Sequence, residues 1–137
     1  MKVKNILMVW AILVATCLFA VDKNEDMYVQ RGEELYMQKC VSCHLMEMPE
    51  DRSQMLGPPL TGLIYHMYKK LITDEKVFKH TMNFTINPSK ETTICERCIK
   101  RNGLMISLRN MITDNELYIV SKWMVDNKKR FTFDKKK

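Results

Sequence analysis

The sequence predicts an all-α fold. Apolar residues recur at intervals of three and four, capping residues precede several of these stretches, and no stretch alternates as a strand would. Only four glycines and four prolines interrupt the 137 residues. The length that remains after an N-terminal export segment suits one domain of about four to five helices.

Two helices are predicted in the first half of the chain. One runs from Asp26 to Lys39, carries apolar residues among charges, and leads directly into a pair of cysteines. Residues 45–62 are rich in proline and glycine and predict an irregular loop. The stretch from Ile64 to Leu71 then has its apolar residues on one side, which predicts a short second helix.

Capping residues mark three further helix starts. Thr73 can cap a helix, and the two acidic residues that follow it would lie in the first turn. There their negative charge interacts favourably with the helix dipole. Asn87-Pro88 combines a capping residue with proline at the first helical position and predicts a helix to about residue 101. Thr113 and Glu116 form a capping box, and the apolar spacing that follows predicts a last helix to residue 126.

Residues 40–44 read Cys-Val-Ser-Cys-His, the sequence by which c-type haem is attached covalently to a polypeptide. Cys40 and Cys43 lie three positions apart on one turn, so they present two sulfurs to the two vinyl groups of one porphyrin. The adjacent His44 can then ligate the iron. The alternative is a disulfide, or two buried thiols beside a surface histidine. The pattern favours one covalently bound haem c as the cofactor.

The first 20 residues predict a secretory signal peptide. Lys2 and Lys4 precede an uncharged apolar run from Ile6 to Ala20, which is short for a membrane span. We expect cleavage after Ala20. Lipidation at Cys17 and retention as an uncleaved anchor are the alternatives. Each places the folded part in an oxidising compartment, so the predicted location is the periplasm.

The chain is basic, with 22 Lys and Arg against 16 Asp and Glu and a formal net charge of +6. We expect residues 21–28 to be a linker, residues 29–127 the folded domain, and residues 128–137 a solvated, frayed basic tail. No nucleic-acid partner is expected. Membrane contact is expected only through an uncleaved or lipidated N-terminus.

From about Val29 to Asn127 the chain resembles the class I cytochromes c, in particular the small mono-haem periplasmic cytochromes of bacteria. The likeness begins with Gly32 and Tyr36, which precede Cys40 at four-residue intervals. In that family this glycine and aromatic residue pack on the C-terminal helix. The matching helix residues here are Leu117, Val120 and Trp123. The resemblance implies a cytochrome c fold, with its helices wrapped around one covalently bound haem.

A second matching segment, Gly57-Pro58-Pro59-Leu60, is similar to the family's Gly-Pro-x-Leu loop. The resemblance implies that the carbonyl of Pro58 accepts the Nδ1 proton of His44. That hydrogen bond fixes the ring and makes Nε2 a better ligand. Gly57 and Leu60 belong to the same supporting loop. A turn with no such role is the alternative.

The third matching segment is Gly103-Leu104-Met105, which lies where the family places the sixth iron ligand. The resemblance therefore implies Met105 as the axial ligand opposite His44. The family commonly has proline after this methionine, whereas Ile106 stands here, so we expect a less rigid loop and a more labile iron–sulfur bond. His66 and His80 are the other candidates, and each is expected to be an ordinary surface or core histidine.

The resemblance does not explain Cys95-Glu96-Arg97-Cys98. This segment is not a second ordinary haem site, because Ile99 stands where histidine is needed. A structural disulfide between Cys95 and Cys98 is favoured, although on a continuous helix it would need local distortion. Buried thiols, or a redox or metal-binding role, are the alternatives.

These observations predict an electron carrier rather than an enzyme. With His44 and Met105 both bound, the iron has no open position, and single electrons pass between respiratory redox partners. By family analogy the donor is a quinol-oxidising complex and the acceptor a terminal oxidase, peroxidase or reductase. The alternatives are a haem enzyme or gas-binding or sensor cytochrome with an open or labile sixth site, a thiol-based redox sensor, and a haem subunit of a larger oxidoreductase.

Overall fold

A computed structural model describes residues 27–131 of the chain. That part consists of helices, turns and loops and contains no strand, so the all-α prediction is confirmed for it. The predicted signal peptide, Cys17 and the end of the basic tail (residues 132–137) lie outside the described residues, as do positions 21–26 of the predicted linker.

Helix α1 covers residues 27–39. A 3₁₀ turn at Arg52–Gln54 lies in the loop that follows. The remaining helices are α2 (Leu60–Leu71), α3 (Asp74–Ile86), α4 (Glu96–Asn102), α5 (Asp114–Asp126) and α6 (Lys128–Phe131). None of the helices in residues 27–131 has both the length and the apolarity needed to cross a membrane.

Helix α5 is the centre of the packing, and its start is fixed by the predicted capping box. The Thr113 side chain accepts a hydrogen bond from the Glu116 amide at 3.2 Å, and the Glu116 carboxylate accepts one from the Thr113 amide at 2.9 Å. Helix α5 packs chiefly against α3, and α2 packs against α3 and α6. The buried residues of α5 are Leu117, Val120, Ser121, Trp123, Met124 and Val125.

Helix α1 crosses α5 at very close range, through the contact of Gly32 and Tyr36 that the family resemblance implies. A Cβ atom on Gly32 would lie 2.2 Å from the Cβ of Trp123, so the crossing requires a residue without a side chain. The Tyr36 ring lies 5.4 Å from the Trp123 ring and is itself 1% exposed. This contact fixes the end of α1, from which the cysteine pair follows.

Helix α2 begins earlier than the sequence predicts. The loop was expected to continue to residue 62, but the helix starts at Leu60, which is fully buried. Pro59 precedes it in an extended conformation that suits a helix start, and the Leu60 amide donates to the Leu45 carbonyl at 2.7 Å. Burial of Leu60 and this hydrogen bond hold the first turn against the cysteine-bearing loop.

The prediction of a helix from Asn87-Pro88 to about residue 101 is wrong for the first half of that range. Residues 88–95 form turns, and only Glu96–Asn102 is helical. The Ser89 hydroxyl accepts a hydrogen bond from the Thr92 amide at 3.2 Å, and the Thr93 hydroxyl accepts one from the Cys95 amide at 3.3 Å. These side-chain bonds replace the backbone bonds that a helix would make.

The prediction of a solvated basic tail is also wrong for residues 128–131. Lys128–Phe131 is helical, and Phe131 is 4% exposed with its ring 5.3 Å from the Trp123 ring. The aromatic residue at the end of the charged cluster gives this turn an apolar anchor. The packed part of the chain therefore extends past residue 127, and at its other end α1 already includes residues 27–28 of the predicted linker.

Candidate functional site

The two cysteines and the histidine of the motif lie on one tight turn at the end of α1. The Cys40 amide still bonds to the Tyr36 carbonyl at 2.9 Å, and the His44 amide bonds to the Cys40 carbonyl at 2.9 Å. Cys40 and Cys43 are both free thiols and partly buried. The turn therefore offers two sulfurs and one imidazole in a single local frame, and the disulfide alternative for this pair is not present.

The imidazole of His44 is held by the loop before α2. Its Nδ1 lies 2.8 Å from the Pro58 carbonyl oxygen, which is the hydrogen bond expected from the Gly-Pro-Pro-Leu segment. A carbonyl can only accept, so Nδ1 carries the proton and Nε2 of the neutral ring has the free lone pair. This tautomer is the one in which Nε2 can bind a metal.

Gly57 gives the ring its space. A Cβ atom at this position would lie 2.7 Å from His44 Cε1 and 2.9 Å from Nδ1, and 3.2 Å from the Cys43 carbonyl. Any side chain here would therefore push the ring away from Pro58. The buried Leu60, three residues on, holds the other end of the loop.

Tyr36 fixes the main chain of the same turn. Its hydroxyl donates to the His44 carbonyl at 2.7 Å, while its ring is buried against Trp123. The sequence indicated Tyr36 only as a packing residue. A hydrogen bond from a side-chain hydroxyl to a carbonyl eight residues later follows no regular spacing in the sequence. This role of Tyr36 could therefore not be predicted from the sequence.

Burial sets the protonation of these groups. Desolvation, with a smaller contribution from the neighbouring Cys43, raises the pKa of Cys40 to about 11. Desolvation lowers the pKa of His44 below its ordinary value of 6.5, against an opposing effect of the Pro58 hydrogen bond. At neutral pH Cys40 is thus a thiol and His44 a neutral imidazole, which is the form that ligates metals.

Met105 lies in the irregular segment between α4 and α5, and its side chain is partly buried against the apolar core. Gly103, with φ of 80°, turns the chain out of α4. The segment is tied down just beyond Met105. The Leu108 amide bonds to the Thr85 carbonyl at 3.0 Å, and the Ser107 hydroxyl bonds to the Ile86 carbonyl at 2.6 Å. These bonds tie the segment after Met105 to the end of α3.

Of the other two candidate histidines, His80 is on α3. Its ring stacks on Phe84 at 5.2 Å, and burial lowers its pKa. His66 is on α2, and its ring contacts that of Tyr65 edge-on at 5.3 Å. His80 is a half-buried histidine stacked on an aromatic ring, whereas His66 lies near a second group of potential ligands.

Cys95 and Cys98 form a disulfide, which confirms the favoured prediction. The expected distortion of a helix is avoided because α4 starts at Glu96, so Cys95 precedes the helix rather than belonging to it. One ligand atom of His66 lies within 4.8 Å of both sulfurs. This neighbour was missed from the sequence, because nearly 30 residues separate the histidine from the cysteines.

Comparisons of the chain with protein-family models, with curated proteins and with solved structures give no match. Two thiols, a tautomerically fixed imidazole and a glycine that makes room for the ring are brought together, and the methionine segment is anchored separately to α3.

Proposed function

We propose that this chain is a periplasmic mono-haem c-type cytochrome of the class I kind, which transfers single electrons between respiratory redox partners. Cys40 and Cys43 would hold haem c covalently, and His44 and Met105 would be the axial ligands. The observation that carries the proposal is the hydrogen bond between His44 Nδ1 and the Pro58 carbonyl at 2.8 Å, one turn after two free thiols.

The residues of the turn suit such a group in three respects. The sulfurs are unpaired, as thioether formation requires. The imidazole is neutral with its Nε2 lone pair free, as an iron ligand requires. Gly57 keeps the space beside the ring open. A histidine with a purely structural role would need only the hydrogen bond to the Pro58 carbonyl, and neither the free thiols nor Gly57 would be required.

The packing of α1 on α5 supports the same proposal. The contact of Gly32 and Tyr36 with Trp123 is the one that the cytochrome c resemblance implies. Exposed apolar side chains also flank both candidate ligand segments, with Leu56 before Gly57 and Ile106 after Met105, 67% and 66% exposed respectively. Single exposed apolar residues are ordinary on protein surfaces. One beside each proposed ligand segment is what we expect where an apolar group such as haem binds.

When bound, haem supplies a one-electron couple between ferric and ferrous iron. The residues of the chain set the conditions for that couple. Pro58 fixes the His44 tautomer, Tyr36 fixes its main chain, and the bonds from Ser107 and Leu108 restrain the Met105 segment. Ligands that stay in place in both oxidation states favour rapid electron transfer over substrate chemistry, so the protein is proposed as a carrier and not an enzyme. Its proposed donor is a quinol-oxidising complex and its acceptor a terminal oxidase, peroxidase or reductase.

The test is mass spectrometry of the purified protein together with optical spectra of its oxidised and reduced forms. We expect one covalently attached haem, lost when Cys40 and Cys43 are both replaced by serine. We also expect the weak long-wavelength band of an iron–thioether bond. Met105→Ala should abolish that band and let the reduced protein bind carbon monoxide, whereas Met111→Ala, which changes an exposed methionine of the same connection, should do neither.

Two results would contradict parts of the proposal. A wild-type protein that carries no covalent haem after expression with the attachment machinery would remove the cofactor assignment altogether. A wild-type holoprotein that lacks the thioether band and binds carbon monoxide as readily as Met105→Ala would leave the haem but replace the carrier with a gas-binding or catalytic cytochrome.

A further inference from the structure

We propose that His66, Cys95 and Cys98 form a metal site that is closed by the disulfide and opened by its reduction. The cation it fits is a thiophilic d¹⁰ ion, Zn(II) or Cu(I), bound by two thiolates and one imidazole. One ligand atom from each residue lies within 4.8 Å of the other two, and the sulfurs are joined in a disulfide. This site is separate from Cys40 and Cys43 and does not depend on haem.

The distances are close to those that a bound ion needs. Zn–S bonds of about 2.3 Å and Zn–N bonds of about 2.0–2.1 Å place the ligand atoms of one tetrahedral ion about 3.4–3.8 Å apart. The sulfurs must separate on reduction and the imidazole must approach by about an ångström. The Cα atoms of the two cysteines are 5.2 Å apart, so side-chain rotation suffices and the backbone need not move.

Both halves of the site rest on rigid parts of the molecule. His66 lies between the buried Ile64 and Met67 on α2, which fixes the side of the helix from which its ring projects. On the other side, Ile94 packs against the core immediately before Cys95, and the Cys98 amide bonds to the Cys95 carbonyl at 3.0 Å. Opening the disulfide would therefore leave the backbone of the two cysteines in place while their side chains rotate.

The local chemistry favours thiolates once the disulfide is open. The Cys98 amide also lies 3.3 Å from Cys95 Sγ, and an N–H donor to sulfur stabilises the anionic form. Helix α4 carries three cationic side chains against a single acidic one. Among the described residues neither ring nitrogen of His66 makes a hydrogen bond, and its ring contacts that of Tyr65 edge-on.

The opening step is a thiol–disulfide exchange with a dithiol reductant. The reductant's thiolate attacks one sulfur and breaks the bond between Cys95 and Cys98, and its second thiol then closes the reductant's own disulfide. Two electrons and two protons pass to the cysteines. Binding of a divalent cation releases both protons from the thiols, and a ring nitrogen of His66 contributes a lone pair. All three residues are partly exposed, so a reductant and an ion can reach them.

The test uses the purified protein before and after anaerobic reduction with a dithiol. Zn(II), and separately Cu(I), is added, unbound metal is removed by gel filtration, and metal is measured per protein by elemental mass spectrometry. Alkylation and peptide mapping identify which cysteines became thiols. Co(II) replaces Zn(II) to report sulfur ligation by its charge-transfer absorption. The variants are His66→Gln, Cys95→Ser with Cys98→Ser, and the control His80→Gln.

We expect the reduced protein to bind one additional equivalent of metal that the oxidised protein does not bind. The double cysteine variant should lose that equivalent, and His66→Gln should bind at least about tenfold more weakly, whereas His80→Gln should bind as the wild type does. The proposal is overturned if the reduced protein gains no metal, if His66→Gln and His80→Gln behave alike, or if the disulfide stays oxidised while the fold is native. Circular dichroism of each variant separates loss of the site from loss of the fold.

Discussion

Gly32 of α1 packs so closely on the side chain of Trp123 in α5 that no side chain fits at position 32. A Cβ atom on Gly32 would lie 2.2 Å from Trp123 Cβ and 2.6 Å from Cγ. These are atoms at the base of a ring that is 2% exposed and held between Tyr36 and Phe131, so they cannot move aside cheaply. The crossing also fixes the end of α1, where the cysteine turn begins.

Replacement of Gly32 by alanine is therefore expected to destabilise the protein. The added methyl group forces the two helices apart and disturbs the Tyr36–Trp123 contact, which should cost about 1–3 kcal/mol or more in the free energy of unfolding. Denaturant unfolding measures the loss. Gly62→Ala is the matched control, because a Cβ atom there meets Pro59 at an ordinary 3.5 Å. That change lies within α2 and should be neutral or stabilising by about 0.5–1 kcal/mol. Equal effects of the two substitutions would contradict the close-crossing argument.

Tyr36→Phe removes one hydroxyl and leaves the buried ring in place. The His44 carbonyl then loses its 2.7 Å partner, and we expect the free energy of unfolding to fall by about 1 kcal/mol. The proposed haem should also become easier to perturb, which a less cooperative denaturation of its absorption would report. Tyr118→Phe is the control, since Tyr118 is 46% exposed and contacts Phe78 through its ring. A Tyr36→Phe protein as stable as Tyr118→Phe would show that the hydroxyl contributes nothing.

Gly57→Ala tests the space beside the imidazole. The new methyl group would lie 2.7 Å from His44 Cε1, so the ring must turn away from the Pro58 carbonyl or the loop must shift. We expect a loss of about 1–3 kcal/mol in stability together with a changed absorption spectrum of the proposed holoprotein. Wild-type stability and an unaltered spectrum in this variant would mean that the loop can yield without moving the ring.

The parts of the fold that the sequence predicted are those fixed by local rules. The Thr113–Glu116 capping box and the Thr73 cap act through neighbours three residues away, and both are present as expected. Gly32 and Tyr36 were expected to pack on the C-terminal helix from the family resemblance, and their four-residue spacing places both on one face of α1. The hydrogen bond of His44 to Pro58 was expected from the resemblance of its loop to a known family, since nothing in the spacing alone links residue 58 to residue 44.

The parts that failed depended on contacts across the fold or on competing local bonds. Asn87-Pro88 has the sequence of a helix start, but the hydroxyl groups of Ser89 and Thr93 bond to nearby amides and hold turns up to Cys95 instead. The basic cluster at residues 128–130 has the composition of a solvated tail, yet Phe131 packs on Trp123. The approach of His66 to Cys95 and Cys98 follows from helix packing and leaves no pattern in the sequence.

The pair formed by Glu33 on α1 and Arg130 on α6 predicts how stability depends on pH. The guanidinium donates to both carboxylate oxygens, at 2.8 and 2.9 Å, and this hydrogen bonding lowers the pKa of Glu33 below its ordinary value of 4.5. Because the folded pKa is depressed, the stabilisation is present above pH about 4.5 and is lost as the pH falls through the folded value. The side chains of Glu33 and Arg130 are 36% and 52% exposed, so solvent screening limits the effect to about 0.5 kcal/mol.

Glu33→Gln should therefore be less stable than the wild type at pH 7 by about 0.5 kcal/mol, and the difference should shrink and vanish as the pH falls through the lowered pKa of Glu33 in the folded protein. Denaturant unfolding across this range at low ionic strength measures it, and added salt should reduce it. Glu47→Gln is the control, because Glu47 makes no ion pair among the described residues and its replacement should leave the free energy of unfolding at pH 7 unchanged. A deficit of Glu33→Gln that persists undiminished at low pH would show that the carboxylate acts through packing and not through its charge.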